Sequence, residues 1–382
     1  MHRRPGMKLM GSAIVAWHAP LIVAADQVRP KLIWVLLRGG MDSLHALLPL
    51  GDSQFARQRK SLVKAVEGGA LDISRGFALH PALQEMHGLY RNNQMLAVVA
   101  TATGNRTRSH FKAQDILECG LPEIDHDSGW LNRAVDAYQG QSLAVAHSTS
   151  ISLRGSRLAK TWYPDSLPAA EDDLCTRLAL LYENDDVLGS RLREGLTTRD
   201  QLGDTESSKK AQLFPVLAES RARLMSQDNG PDCAMLEMGG WDTHNNAVPR
   251  LNRLFAELDQ GIAKLRQGMG SQWGNTVVMV ATEFGRTVAE NGTKGTDHGT
   301  ASTMFLAGGA VKGGQLFGTW PGLGKDDQCQ GRDLMPTSDI REWKGAVLQQ
   351  HWGLGNRELA RVFPGVAPIN AQLVNQSSTR RI

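Results

Sequence analysis

Six short apolar runs, most of them rich in β-branched residues, punctuate the chain: 32–37, 95–101, 143–146, 233–238, 276–281 and 303–307. Continuous apolar runs of this length read as strands buried on both faces. Longer segments with helical spacing lie between them, among them 80–92, 211–227 and 247–268. This alternation predicts an α/β fold, a mainly parallel sheet with helices on both faces. The chain has 382 residues, a length that suits one large domain around one sheet. The expectation is a single domain over residues 26–370. The polar stretch 148–210, with charge clusters at Glu171–Asp173 and Glu183–Asp186, reads as an insertion or cap, and residues 371–382 read as a frayed tail.

The first 25 residues have a different grammar. Arg3, Arg4 and Lys8 precede an apolar stretch from Leu9 that ends at Val23, Ala24 and Ala25, which is the layout of a secretory signal peptide. The adjacent arginines resemble a twin-arginine signal, in which a folded protein is carried across the membrane by the twin-arginine export machinery. A cut near Ala25 and a periplasmic or otherwise exported mature protein are the expectation. The rival is a retained N-terminal anchor, against which the run is short for a span and broken by Trp17, His18 and Pro20. Residues 1–25 hold three of the 42 basic residues and none of the 39 acidic ones, so the mature chain is balanced in charge. A balanced chain without a concentrated basic face argues against nucleic-acid binding. Cys119, Cys175, Cys233 and Cys329 form no CxxC pair, so a zinc knuckle is not indicated. Disulfides are chemically open to an exported protein, and Cys233, inside an apolar run, reads as a small buried hydrophobe.

In open α/β sheets, functional groups gather past the carboxyl ends of strands, and four such junctions carry unusual residues. In LIWVLLRGGMDSLH, Gly39 and Gly40 permit a tight turn before Asp42; Asp42 reads either as an ion ligand or as a turn or N-cap residue. In MLAVVATATGNRTRSHFKAQ, a basic, hydroxyl-rich loop leads to a helix beginning near Ser109. There a serine meets the positive end of the macrodipole, and Arg106 and Arg108 suit anionic oxygens. Ser109 reads equally as a plain N-cap. In CAMLEMGGWDTHNN, Asp242 and His244 supply mixed oxygen and nitrogen donors suited to zinc or manganese. In TVVMVATEFGRTVAENGTKGTDHGT, Glu283 and Arg286 follow a very apolar strand, and Asp297 and His298 lie in a glycine-rich loop. So many ionisable groups at one sheet edge are costly without a compensating cation.

The segments LRGGMDSL, RSHFKAQ, GGWDTH and TEFGRT followed by GTDHG, in this order, resemble the DUF1501 family over roughly residues 30–365. That family resembles the alkaline phosphatase, sulfatase and phosphomutase superfamily, so the resemblance implies an alkaline-phosphatase-like fold with two metals at its strand ends. By position it assigns Asp42 to the first-strand ligand, Ser109 to the nucleophile, and Asp242 and His244 to the aspartate and histidine of one metal. Glu283 falls at the end of the later strand, and His298 inherits the histidine that returns to the first metal from a GTDHG-like loop, with Asp297 beside it. The sequence departs from that pattern in two places. Phe284 stands where the superfamily has a histidine, and His244 follows Asp242 by two residues rather than four. The second site would then consist of Asp42, Ser109 and Glu283, all oxygen donors, which suit magnesium, calcium or manganese better than zinc. Ser109 is followed by His110, Phe111, Lys112 and Ala113, so the sulfatase modification motif is absent.

The resulting expectation is an exported, metal-dependent hydrolase of phosphate or related esters, acting on a small-molecule or glycan-linked substrate. Ser109 attacks, and Arg108 or Arg286 stabilises equatorial oxygens. The alternative is a non-catalytic envelope protein that keeps the pocket for binding a metal, an anion or a glycan. No membrane span is expected after processing.

Overall fold

A computed structural model describes residues 29–144, 149–161, 172–182, 185–202 and 213–375. The signal peptide expected over residues 1–25 lies outside the described residues, as do residues 376–382 of the tail and parts of the 148–210 region.

The sheet strands, in chain order, are β1 (Lys31–Leu37), β2 (Met95–Ala102), β3 (Ser142–Ala144), β4 (Lys160–Thr161), β5 (Cys233–Met238), β6 (Thr276–Thr282), β7 (Ser302–Ala307), β8 (Gln315–Phe317) and β9 (Ser338–Asp339). Their spatial order is β8-β2-β7-β6-β1-β5-β3-β4, with β9 pairing β2. Every pairing is parallel except those of β7, which runs antiparallel to both β2 and β6. The mainly parallel sheet read from the sequence is therefore present.

The longer helices are α1 (Gln84–Arg91), α2 (His110–Cys119), α3 (Trp130–Tyr138), α4 (Asp172–Leu181), α5 (Asp186–Leu202), α6 (Phe214–Met225), α7 (Ala247–Met269), α8 (Ile340–Trp352) and α9 (Asn356–Val362). All seven residues of β1 are buried, and their alternation assigns them to two separate cores. Ile33, Val35 and Leu37 pack with Leu89 of α1, Leu217 of α6, and Leu251 and Phe255 of α7. Leu32, Trp34 and Leu36 pack with Trp130 of α3, Val347 of α8 and Leu359 of α9. Helices thus cover both faces. Local signals set the helix ends. Asp339 accepts the Arg341 N–H at 2.8 Å and Glu342 reaches back to the Asp339 N–H, a capping box that starts α8; Gly353 at φ 68° ends it. Among the described residues no helix is long and apolar enough to cross a membrane, and none of the four cysteines is in a disulfide.

The topology explains where chemistry collects. β5, β1 and β6 are adjacent and parallel, so their carboxyl ends share one edge. Because β7 is antiparallel, the loop that enters it arrives at that same edge, where Ser302 faces Thr101 near the end of β2. Glycine permits the closest approach there. Gly39 has φ 118°, and a Cβ on it would lie 2.7 Å from the Asp242 backbone nitrogen, so only glycine lets the β1 turn lie against the β5 turn.

Candidate metal centre

Four side chains converge at this edge. Asp242 and His244 come from the turn after β5, His298 from the loop before β7, and His110 from the first turn of α2. The Nε2 atom of His298 lies 3.0 Å from His110 Nε2, 2.9 Å from His244 Nε2 and 3.1 Å from Asp242 Oδ1. His244 Nε2 is 2.9 Å and His110 Nε2 is 3.6 Å from the same carboxylate oxygen. The side chains of Asp242 and His244 are 45% and 42% exposed, so the cluster opens to solvent on one side.

The opposite nitrogen of each ring identifies what the cluster can do. His110 Nδ1 faces Glu283 Oε1 at 2.8 Å, His244 Nδ1 faces Asp297 Oδ1 at 3.0 Å, and His298 Nδ1 faces the Arg108 carbonyl at 2.9 Å. A carbonyl oxygen or a carboxylate only accepts, so each Nδ1 carries a proton, and in the uncharged form each ring turns its Nε2 lone pair inward. Three lone pairs and a carboxylate oxygen at such distances repel unless a cation lies among them. Zinc held at about 2.0–2.1 Å by tetrahedral donors would place those donors about 3.3 Å apart, and the three separations within the His110, Asp242 and His298 group, 3.0, 3.1 and 3.6 Å, lie near that value. Anchoring of ligand imidazoles by an outer carboxylate or carbonyl is also how metal sites fix ring orientation. The donor set therefore fits a divalent metal.

The surrounding electrostatics have identifiable causes. The hydrogen bond to Glu283 holds the His110 pKa above its ordinary value, against burial. Burial works to raise Asp242, but the Arg286 hydrogen bond and charge, with His298 and His244, outweigh it and hold the carboxyl below its usual range. Burial likewise opposes ionisation of Glu283, yet its bonds from His110 and Gln114 keep it ionised. His298 is lowered, chiefly by burial.

Three residues expected as ligands are placed otherwise. Asp42 is fully buried and its two carboxylate oxygens lie 2.7 and 2.8 Å from Nη1 of the buried Arg59, so it belongs to an internal ion pair. Glu283 is also not among the converging donors: Oε1 accepts from the Gly39 N–H, Gln114 Nε2 and His110 Nδ1, and Oε2 from the Thr282 hydroxyl. Asp297 accepts from His244 Nδ1 and from Asn291, which makes it the support of a ligand. Arg286 Nη2 donates to Asp242 Oδ1 at 2.7 Å and to the Trp241 carbonyl, so it steadies the carboxylate. The Arg108 guanidinium donates to buried Asp333 at 2.6 and 2.9 Å and to Gln330, and its backbone carbonyl faces His298 Nδ1. Ser109 occupies the N-cap position of α2 with φ −94° and ψ 120°, and its side chain makes no capping hydrogen bond.

His110 is the member of the cluster that the sequence motifs did not single out, since it stands beside Ser109 at the helix start. A signal was present: His110 and Gln114 are four apart, so on a helix they share a face, and both reach Glu283. Gln114 in turn accepts from Arg38 at 2.8 Å, which fixes which end of its amide faces the glutamate. Removing the direct outer partner of a ligand costs roughly 10- to 100-fold in metal affinity, and Gln114, one bond further out, should fall at the low end of that range. Gln114→Leu should therefore weaken divalent-metal binding by about tenfold, read by competition with a metallochromic chelator. Unchanged affinity would show that the tether carries no weight.

No curated protein matches the chain. Among solved structures, it is similar to alkaline phosphatase from the Antarctic bacterium TAB5, at 11% identity and a TM-score of 0.38, with 88% of this chain and 98% of that one covered. It is also similar to the C-terminal periplasmic domain of EcEptC from Escherichia coli in complex with zinc, at 10% identity, TM-score 0.35 and 74% of each chain. A 2-O GAG sulfatase matches at 9% identity and a TM-score of 0.34, with 75% of this chain and 66% of that one covered. The family model described as "Protein of unknown function (DUF1501)" matches residues 95–354, and the chain belongs to that family.

Proposed function

We propose that this protein is an exported, metal-dependent hydrolase of phosphate or related esters, of alkaline-phosphatase-like type, with His110, Asp242, His244 and His298 holding one divalent ion and Ser109 as nucleophile. The observation that carries the reading is the set of three inward-facing Nε2 lone pairs around one carboxylate, each ring held from behind. Three nitrogens and one oxygen favour zinc, with manganese next, over magnesium or calcium. When bound, the ion would polarise the ester and withdraw charge from the attacked group.

The chain's own residues supply the rest. Ser109 sits between two residues tied to the centre, Arg108 through its carbonyl and His110 through its ring, and its hydroxyl bonds to no described residue, leaving it free to attack. Attack by Ser109 Oγ would form an oxygen–phosphorus bond as the ester oxygen leaves with a proton; water would then cleave the phosphoserine and restore the hydroxyl. Arg286 keeps Asp242 ionised and oriented. Export by the twin-arginine machinery and a small-molecule or glycan-linked substrate belong to the same proposal.

The test is metal content combined with turnover of an aryl phosphate, an aryl sulfate and a phosphodiester, each with zinc, manganese, magnesium or calcium restored after chelation. Turnover that chelation removes and one metal restores is expected. Bound metal with no turnover across the panel would instead favour a non-catalytic envelope protein that binds through the same pocket.

A further inference from the structure

We infer that this centre takes one divalent ion rather than a pair, because the Arg59 guanidinium and the Phe284 ring have displaced a second one. The inference rests on the metal reading proposed above and concerns its stoichiometry. A second ion would need Asp42, Glu283 and the Ser109 hydroxyl as donors, and two of those three are already committed.

Asp42, unlike the half-exposed Asp242, is fully buried with a partner on each oxygen. Both of its oxygens face Arg59 Nη1, and Oδ2 also accepts from the Thr296 hydroxyl at 3.2 Å. Arg59 is as firmly held: Nε donates to the Val288 carbonyl at 2.7 Å and Nη2 to the Thr287 carbonyl. Both side chains are 0% exposed. A buried aspartate needs a positive partner, and here a fixed guanidinium from the turn between two short helices supplies the charge that an ion would bring. Glu283 Oε1 already accepts three hydrogen bonds and Oε2 one, so a metal at this carboxylate would have to break the tether of His110.

Phe284 completes the exclusion. Its ring centroid lies 4.8 Å from that of His110 and 5.0 Å from that of His298, and on its other contact it leaves Gly40 no room for a side chain, since a Cβ there would meet the ring at 2.6 Å. An apolar ring thus fills space between the imidazoles and the β1 turn that carries Asp42, and it offers no donor to a cation.

The test is a titration of the metal-free mature chain with zinc, and separately with manganese, followed by native mass spectrometry and elemental analysis. One equivalent per chain on a single-site isotherm is expected. Two equivalents would overturn the inference while leaving the metal reading intact; none would overturn both. Asp42→Asn alone strands a buried guanidinium and can fail to fold, so the informative variant is Asp42→Asn with Arg59→Gln, which removes both charges together. If Asp42 is no ligand, this double variant keeps one equivalent with affinity within about threefold of the parent. A loss of about tenfold or more, the size seen even when an outer support of a ligand is removed, would show that Asp42 helps to hold the metal after all and would overturn the inference.

Discussion

His298→Ala should remove nearly all of the metal-dependent stability of this protein. Its Nε2 approaches all three of the other converging donors within 3.1 Å, so its loss leaves the remaining three without their common neighbour. At a free metal concentration of 100 times the dissociation constant, binding contributes about 2.7 kcal/mol. If the alanine variant binds about 100-fold more weakly, the same metal concentration contributes only about 0.4 kcal/mol. For a domain of this size the difference corresponds to several degrees in melting temperature. The measurement is calorimetry of parent and variant, with and without chelator. The parent should melt lower with chelator and the variant should scarcely respond. His126→Ala is the control, since His126 is exposed and, among the described residues, its side chain pairs with Asp115 alone; it should behave as the parent does. A parent whose melting temperature ignores chelator would remove the basis for a metal at this edge.

Acid should act on the same equilibrium in a definite direction. The bond to Glu283 raises the His110 pKa, and metal can bind only the imidazole with a free Nε2 lone pair, so protons compete with the ion more strongly at His110 than at an ordinary histidine. Metal-dependent stability is then fully present above the raised pKa and is lost as pH falls through it.

Some of this was legible from residue order alone. The strands could be read because burial on both faces writes itself as an unbroken apolar run, and the edge could be read because glycines and acids follow those runs at fixed places. Asp242, His244 and His298 were legible for that reason. Asp42 shows the limit. An aspartate after β1 looks the same whether it faces an ion or a guanidinium, and its partner, Arg59, lies 17 positions later in a segment with no periodic signal. Glu283 is ambiguous in the same way, because its task depends on His110 and Gln114 from a different part of the chain. A residue's own sequence neighbourhood reports that it will reach the edge; which groups it meets there is fixed by strand order, and the single antiparallel strand β7 is what brings His298 to the others.

Ser109→Ala should abolish turnover while leaving fold and metal content in place. The position invites a simpler explanation, since serine is a favoured N-cap and replacing a true cap costs about 0.5–2 kcal/mol. Ser109 does occupy the N-cap of α2, but its hydroxyl makes no capping bond, so the stability cost should fall below about 0.5 kcal/mol. Ser109 is also not among the converging donors, so one equivalent of metal should remain. Loss of a nucleophile is far more severe for catalysis, by roughly a thousandfold or more. Thr107 supplies the neighbouring hydroxyl and must be measured beside it: it is exposed, and its backbone is engaged by Asn105 within the loop, so Thr107→Ala should retain activity within about twofold, as expected of a group absent from the transition state. The two variants separate stability from chemistry because both remove one hydroxyl within three residues of each other. A Ser109→Ala protein that binds its metal and turns over substrate like the parent would eliminate the covalent route, and the attack on the ester would then belong to water.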